Sequence, residues 1–132
     1  MDKIGYFDEY GQPKLSLQVK GLRKTLRIDP VVDTGFNGDI ALPISSAVPL
    51  GLELRGQVPI ELADGSTKTE LVFQGWVVWQ KREHEVKIFL TNSSDALLGS
   101  GLMQGHKLNI DYSNLDVALS PSPKKKSNRK DR

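Results

Sequence analysis

An apolar strand runs directly into a polar turn in the stretch Val31-Val32-Asp33-Thr34-Gly35-Phe36-Asn37-Gly38. Valine favours extended backbone, and the two glycines end the strand. Asp33 therefore lies where a buried strand turns over, and a carboxylate in that place is costly unless it is hydrogen-bonded, paired or functional. Thr34 adds a hydroxyl beside it, and Gly35 lets another backbone approach closely. We interpret the rest of the chain as the framework of this turn.

The fold class follows from the segments on both sides of the turn. Short apolar or alternating segments predict strands, and they cover residues 15–19, 25–28, 40–42, 58–62, 67–79, 86–90, 95–99, 107–112 and 115–119. Ala63, Asp64, Gly65 and Ser66 separate two of these segments, and Asp-Gly between strands is a strong hairpin signal. Only residues 43–48 and 100–105 carry signals of short helices. Many short strands with frequent turns predict an all-β sandwich or barrel.

Length and composition limit the class of protein. A chain of 132 residues favours one domain. It has no run of about 18 apolar residues that would span a membrane, and residues 1–11 lack the apolar core of a signal peptide. The absence of cysteine excludes disulfides and thiolate metal sites, and the separated His84 and His106 are poor evidence for a metal site. We therefore expect a cytoplasmic protein without metal or cofactor.

The charge is divided between a body and a tail. Residues 124–132 hold six Lys and Arg and one Asp, whereas the preceding 123 residues hold 12 Lys and Arg against 15 Asp and Glu, a net charge of −3. We expect residues 1–120 to form the domain and residues 121–132 a disordered basic tail that catalysis does not need. The mildly acidic body does not suit nucleic acid. Only weak, non-specific contact of the tail with nucleic acid or anionic lipid is expected.

The order of motifs along the chain is more specific than the Asp-Thr-Gly triplet alone. Asp64-Gly65 follows Asp33 by about thirty residues, and Leu97-Leu98-Gly99 follows it by about sixty-six. A predicted short helix and a strand ending at residues 110–112 come next. From Ile4 to Leu119 this order resembles the retropepsin-like (clan AA) aspartic proteases, and in particular the small bacterial predicted aspartyl proteases.

The resemblance implies a closed, barrel-like β lobe, with one such lobe per chain. It implies that Asp33 is the catalytic carboxylate, that Thr34 bonds across to the matching turn of a second lobe, and that Gly35 lies against the substrate backbone. Ala63, Asp64, Gly65 and Ser66 would form the tip of a flap, and Leu97, Leu98 and Gly99 would support the active-site turn from behind.

The same resemblance implies a partner, because this chain has a single Asp-Thr-Gly. The second carboxylate must come from a second copy, so a homodimer acting on peptide or protein substrates is expected, with terminal strands as further contributors to the interface.

Two features depart from the retroviral pattern. Ser100 stands where those proteins usually carry an arginine, and Asn37 stands where they often carry an aspartate, so the ion pair between those positions is absent. In addition, the flap tip is not glycine-rich.

Two hypotheses therefore remain from the sequence. The first is an aspartic endopeptidase that acts as a homodimer. The second is a non-catalytic interaction module of the same fold, in which Asp33 is a structural turn residue that accepts hydrogen bonds from its own backbone.

Overall fold

The computed structural model describes residues 3–79 and 81–122. That part of the chain contains twelve strands and one short helix. Their order is β1 (Lys3–Phe7), β2 (Pro13–Leu15), β3 (Leu17–Lys20), β4 (Thr25–Ile28), β5 (Val31–Val32), β6 (Ile40–Pro43), α1 (Ile44–Leu50), β7 (Glu53–Glu61), β8 (Thr67–Trp79), β9 (Arg82–Thr91), β10 (Leu97–Leu98), β11 (His106–Asp111) and β12 (Asp116–Pro121).

All twelve strands belong to one hydrogen-bonded sheet. Its order is β11-β12-β1-β2-β5-β10-β6-β9-β8-β3-β4, and β7 is attached to β8. The all-β prediction is confirmed, but the expected closure into a barrel is wrong. Closure requires the first and last strands to pair, whereas β11 and β4 end the path within the described residues. β4 stops at Ile28, and Pro30 has no N–H with which to extend the ladder.

The core is built mainly from aliphatic side chains of the central strands, and all four residues of β6 are buried. In β3, Leu17 and Val19 are buried while Gln18 between them is exposed, as the alternation of a half-buried strand requires. The largest fully buried side chains include Leu15, Leu42, Leu50, Ile88, Leu98 and Leu119. Each such side chain contributes about 1.5–3 kcal/mol relative to an exposed one.

The two predicted helices have different outcomes. Residues 43–48 do contain a helix, which runs on to Leu50 and ends at Gly51 in the left-handed conformation. The predicted helix over residues 100–105 is wrong, because those residues form successive turns. The N–H groups of Ser100 and Gly101 donate to carbonyl groups of the Asp33 turn, and Met103 closes a tight turn back to Ser100.

Towards the C-terminus, the structure describes the chain as far as Ser122. Pro121 completes β12, and the N–H of Ser122 donates to the carbonyl of Gly105 at 3.1 Å. The basic residues 124–132 of the predicted tail lie outside the described residues. Within residues 3–79 and 81–122, no helix has the length and apolar character needed to cross a membrane.

Asp29 anchors the segment that leads into β5. Its carboxylate accepts hydrogen bonds from the hydroxyl of Tyr6 at 2.8 Å, the hydroxyl of Ser16 at 2.8 Å and Nε of Arg27 at 3.4 Å. Burial raises the pKa of Asp29, but the hydrogen bonds from Tyr6 and Ser16 and the charge of Arg27 outweigh it, so the pKa lies below its ordinary value.

This carboxylate makes the stability of the fold depend on pH. Because the pKa of Asp29 is lower in the folded than in the unfolded chain, its stabilisation is present above about pH 4 and is lost as the pH falls. The free energy of unfolding should increase less between about pH 2 and pH 5 in Asp29→Asn than in the wild type. Urea titrations at each pH measure this, with Asp116→Asn at an exposed site as the control. An unchanged slope in Asp29→Asn would contradict the assignment.

Candidate active site

The Asp33 turn is closed by its own backbone. The carbonyl of Asp33 accepts the N–H of Phe36 at 3.2 Å, and Oδ1 of Asp33 accepts the N–H of Gly35 at 3.0 Å. Val32 before the turn is buried, whereas Thr34 and Gly35 are exposed. The strand thus ends in a half-buried carboxylate whose orientation is fixed by one backbone donor.

A strand from the far end of the chain supports this turn. β10 pairs in parallel with β5 and antiparallel with β6, so it lies between the two strands that the turn connects. The N–H of Asp33 donates to the carbonyl of Leu98 at 2.9 Å, and the N–H of Gly99 donates to the carbonyl of Asp39 at 2.9 Å. The structure therefore places Leu97, Leu98 and Gly99 directly behind the turn.

Gly99 is the closest point of this contact. A Cβ atom there would overlap the carbonyl oxygen of Gly38 and lie 2.6 Å from Cδ2 of Phe36. Beyond it, the N–H of Ser100 donates to the carbonyl of Phe36 at 2.8 Å. Only glycine fits at position 99 without a shift of the backbone, because the backbone there packs directly against the backbone of the turn.

Ala63, Asp64, Gly65 and Ser66 form the tip of a hairpin, as predicted. The N–H of Leu62 donates to the carbonyl of Ser66 at 2.8 Å, and Oδ1 of Asp64 accepts the hydroxyl of Ser66 at 2.6 Å and its N–H at 2.9 Å. These bonds hold the pKa of Asp64 below its ordinary value. The carboxylate of Asp64 therefore serves to close the turn.

Much of this hairpin stands away from the sheet. Residues 67–72 of β8 pair with β7, while β9 joins β8 from Phe73 onward and β3 joins it from Trp76 onward. A β-bulge between Leu54 and Gly56 interrupts the register at its base. The outer hairpin is thus a two-stranded ribbon, which is marginally stable without further packing.

A cleft of about 560 Å³ lies between the Asp33 turn and the hairpin. It is lined by Gly35, Phe36, Asn37, Gly38, Asp39, Ile60, Glu61, Lys87 and Phe89. Gly35 thus connects the turn to the cleft. The hairpin contributes Ile60 and Glu61 near its end, whereas the four predicted tip residues do not line the cleft.

Several cleft residues were not identified from the sequence. The rings of Phe36 and Phe89 meet edge to face with centroids 5.9 Å apart, and Oδ2 of Asp39 accepts the N–H of Lys87 at 2.9 Å. Lys87 and Phe89 reach the turn because β9 pairs in parallel with β6, with Ile40 opposite Ile88. No local sequence pattern predicts the pairing of β6 with β9. Phe36, directly after the Asp-Thr-Gly triplet, was a local indication that an aromatic side chain lies beside the turn.

The titratable groups of this region do not form a metal site. Within residues 3–79 and 81–122, no group of three or more His, Cys, Asp or Glu residues has the arrangement of a metal centre. His106 instead lies beside the ring of Trp79, with centroids 5.0 Å apart.

Comparison with known proteins supports the architecture. No protein-family model matches the sequence, and no curated protein does. The structure is similar to the crystal structure of a retropepsin-like aspartic protease from Rickettsia conorii, with a TM-score of 0.61 and 21% identity over 92% of this chain and 91% of that chain. The chain has the retropepsin-like fold. At this identity the likeness establishes the fold alone.

The contact at Gly99 gives a testable consequence. We expect Gly99→Ala to lower the free energy of unfolding by about 1–3 kcal/mol, because the turn must shift to admit one methyl group. Gly35→Ala is the matched control, since a Cβ there would lie 3.4 Å from Oδ1 of Asp33, an ordinary contact distance. Urea unfolding of both variants measures the difference. Equal stability of the two variants would show that β10 does not hold the turn closely.

Proposed function

We propose that this protein is an aspartic endopeptidase in which Asp33 from each of two chains activates a water molecule. The observation that carries the proposal is the Asp33 carboxylate itself. It lies on a turn held from behind by β10, in a retropepsin-like fold. The turn residues that follow it, from Gly35 onward, line a cleft large enough for an extended peptide segment.

The environment of Asp33 leaves its carboxylate free for chemistry. In the described part of the chain, the ion pairs within 4.0 Å involve other carboxylates. Among residues 3–79 and 81–122, the side chain of Asp33 makes one hydrogen bond, in which Oδ1 accepts the Gly35 N–H. Oδ2 therefore remains available for a water molecule, a substrate or a second carboxylate.

Two such carboxylates supply a mechanism without metal. Two carboxylates held about 3 Å apart do not both ionise, so they share one proton. The ionised member takes a proton from water, the water oxygen attacks the scissile carbonyl carbon, and the protonated member gives its proton to the carbonyl oxygen. The tetrahedral species then collapses. The member that is now protonated gives its proton to the nitrogen, the ionised member takes a proton from one hydroxyl, the C–N bond breaks and the amine departs, which leaves the pair with one shared proton. The pair titrates as one unit.

A second copy completes this site because the chain has one Asp-Thr-Gly. Thr34 is exposed next to Asp33, so its hydroxyl is accessible to the matching turn of a partner. A two-fold axis at this point would bring the two Asp33 side chains together in an isologous contact.

The bond from Gly35 to Asp33 also fits the second hypothesis, a non-catalytic interaction module. An aspartate that accepts the N–H two residues later is a common turn element, and it needs no catalytic role. Both hypotheses predict the same fold, so only activity separates them.

Replacement of the carboxylate is the direct test. We expect Asp33→Asn to lower kcat/KM for the best peptide of a library by at least about 10²–10⁴-fold, because the shared proton is lost. The fold should be retained, since the amide oxygen can still accept the Gly35 N–H. Glu85→Gln, at an exposed position outside the cleft, is the matched control and should keep its activity.

A peptide with a hydroxyl group in place of the scissile carbonyl should inhibit the wild type. Cleavage by Asp33→Asn at a rate near that of the wild type would contradict the role of Asp33. The absence of cleavage by the wild type across pH 3–8 would favour the interaction module.

A further inference from the structure

Two further turns lie at the edge of the sheet where Asp33 lies. Lys14 of β2 is opposite Val31 of β5 in an antiparallel pair, so the β1–β2 turn at residues 8–12 is level with Asp33. Val117 of β12 is opposite Gly5 of β1, so the β11–β12 turn at residues 112–115 continues the same edge. Adjacent strands are about 4.8 Å apart, which puts β12 roughly 14 Å from β5.

These two turns carry exposed apolar side chains. Tyr10 is 80% exposed, Tyr112 66% and Leu115 57%. The ring of Tyr112 meets that of Phe7 at a centroid distance of 5.1 Å, so the β11–β12 turn packs against the end of β1, where the β1–β2 turn begins. We call Tyr10, Tyr112 and Leu115 the tyrosine edge. Residues of this exposure present on the order of 400 Å², which is the size of the largest apolar patch on a typical monomer, and such patches are often functional.

Leu115 adds an independent observation. Its φ of 58° is in the left-handed region, which favours glycine and asparagine and is unfavourable for a bulky side chain. The turn thus holds a large apolar residue in a strained and exposed position. Strain of this kind costs on the order of 1 kcal/mol and is typical of functional surfaces.

The terminal strands pair with each other and with their neighbours in the chain. β1 pairs with β12 through residues 3–5 and with β2 through residues 5–7, and β12 pairs along its whole length with β11. The resemblance implied that terminal strands contribute to a dimer. The turns that connect these strands, at the edge where Asp33 lies, offer a further surface for such a contact.

We propose that the tyrosine edge is the contact surface for a second copy of this chain, next to the Thr34 turn. The inference rests on the proposed function, because the Asp33 pair requires two chains to meet at this edge. About 400 Å² is half of the roughly 800 Å² that each partner buries in a stable interface. The Thr34 turn lies on the same edge and extends the surface.

The charges beside the tyrosine edge shape the contact. The Asp111 carboxylate accepts hydrogen bonds from Ser113 and Asn114, so donors within its own turn stabilise its negative charge. Glu9 and Asp116 are exposed. A two-fold contact brings like charges together, and salt screens their repulsion. The dimer should therefore be tighter at 0.5 M than at 0.05 M salt.

Two substitutions in the full chain test the surface. We expect Tyr112→Ser and Leu115→Asn each to weaken the dimer at least tenfold in sedimentation equilibrium. Leu22→Ser is the matched control, because Leu22 is 66% exposed in the turn before β4, at the other end of the β4–β5 segment from Asp33. The control should dimerise like the wild type.

Leu115→Asn also separates a contact role from a folding role. Asparagine tolerates the left-handed conformation, so the variant should resist urea at least as well as the wild type when both are monomeric. Weaker dimerisation with undiminished stability supports the contact surface. Dimerisation unchanged in both edge variants, or a wild type that stays monomeric at every concentration, would overturn it.

Peptide cleavage measured on the same samples distinguishes this inference from the proposed function. If the edge variants dissociate but the wild-type dimer cleaves no peptide, the contact surface stands and the protease assignment fails. If the edge variants stay dimeric and cleave peptide as the wild type does, the protease assignment stands and the contact surface is wrong.

Discussion

The candidate site depends on one strand that is inserted between two others. β10 lies between β5 and β6, and its two outer hydrogen bonds, from Asp33 to Leu98 and from Gly99 to Asp39, fix both ends of the connecting turn. This fit leaves no room for a side chain at Gly99. Because β10 comes about sixty residues after β5 in sequence, the turn acquires its shape only when the long-range pairing has formed. The geometry of the carboxylate is therefore a property of the whole fold.

The two sides of the cleft differ in how firmly they are held. The Asp33 side is part of the central sheet and is in contact with the buried core through Val32 and Leu98. The hairpin side ends in a ribbon that pairs only with itself among the described residues, above a bulge near Gly56. Segments with few tertiary contacts open at low free energy. The Asp33 turn is therefore held more firmly than the hairpin, and in the proposed protease the hairpin would be the part that moves to admit an extended chain.

Local signals in the sequence were sufficient for the parts of the fold that are determined locally. The valines before Asp33, the Asp64-Gly65 turn and the alternation in β3 have the structures that their residue types favour. Residues 100–105 show the limit, because Ser100 and Gly105 predict a helix, whereas these residues form successive turns. The first two N–H groups of the segment donate to the Asp33 turn, so its course is determined by a part of the chain about sixty residues earlier.

Cleft residues supplied by distant strands could not be predicted in the same way. Lys87 and Phe89 reach the cleft only through the parallel register of β6 and β9. The open ends of the sheet at β4 and β11 depend likewise on long-range pairing.

The central claim is that Asp33 residues from two chains form one active site, and a mixing experiment tests it most directly. Wild-type protein is equilibrated with a ninefold excess of Asp33→Asn, and cleavage is measured per wild-type chain. If chains pair at random, about one wild-type chain in ten finds an intact partner, and specific activity falls about tenfold. Activity that is unchanged per wild-type chain, with exchange of subunits demonstrated in the same sample, would show that a single Asp33 is sufficient and would contradict the account.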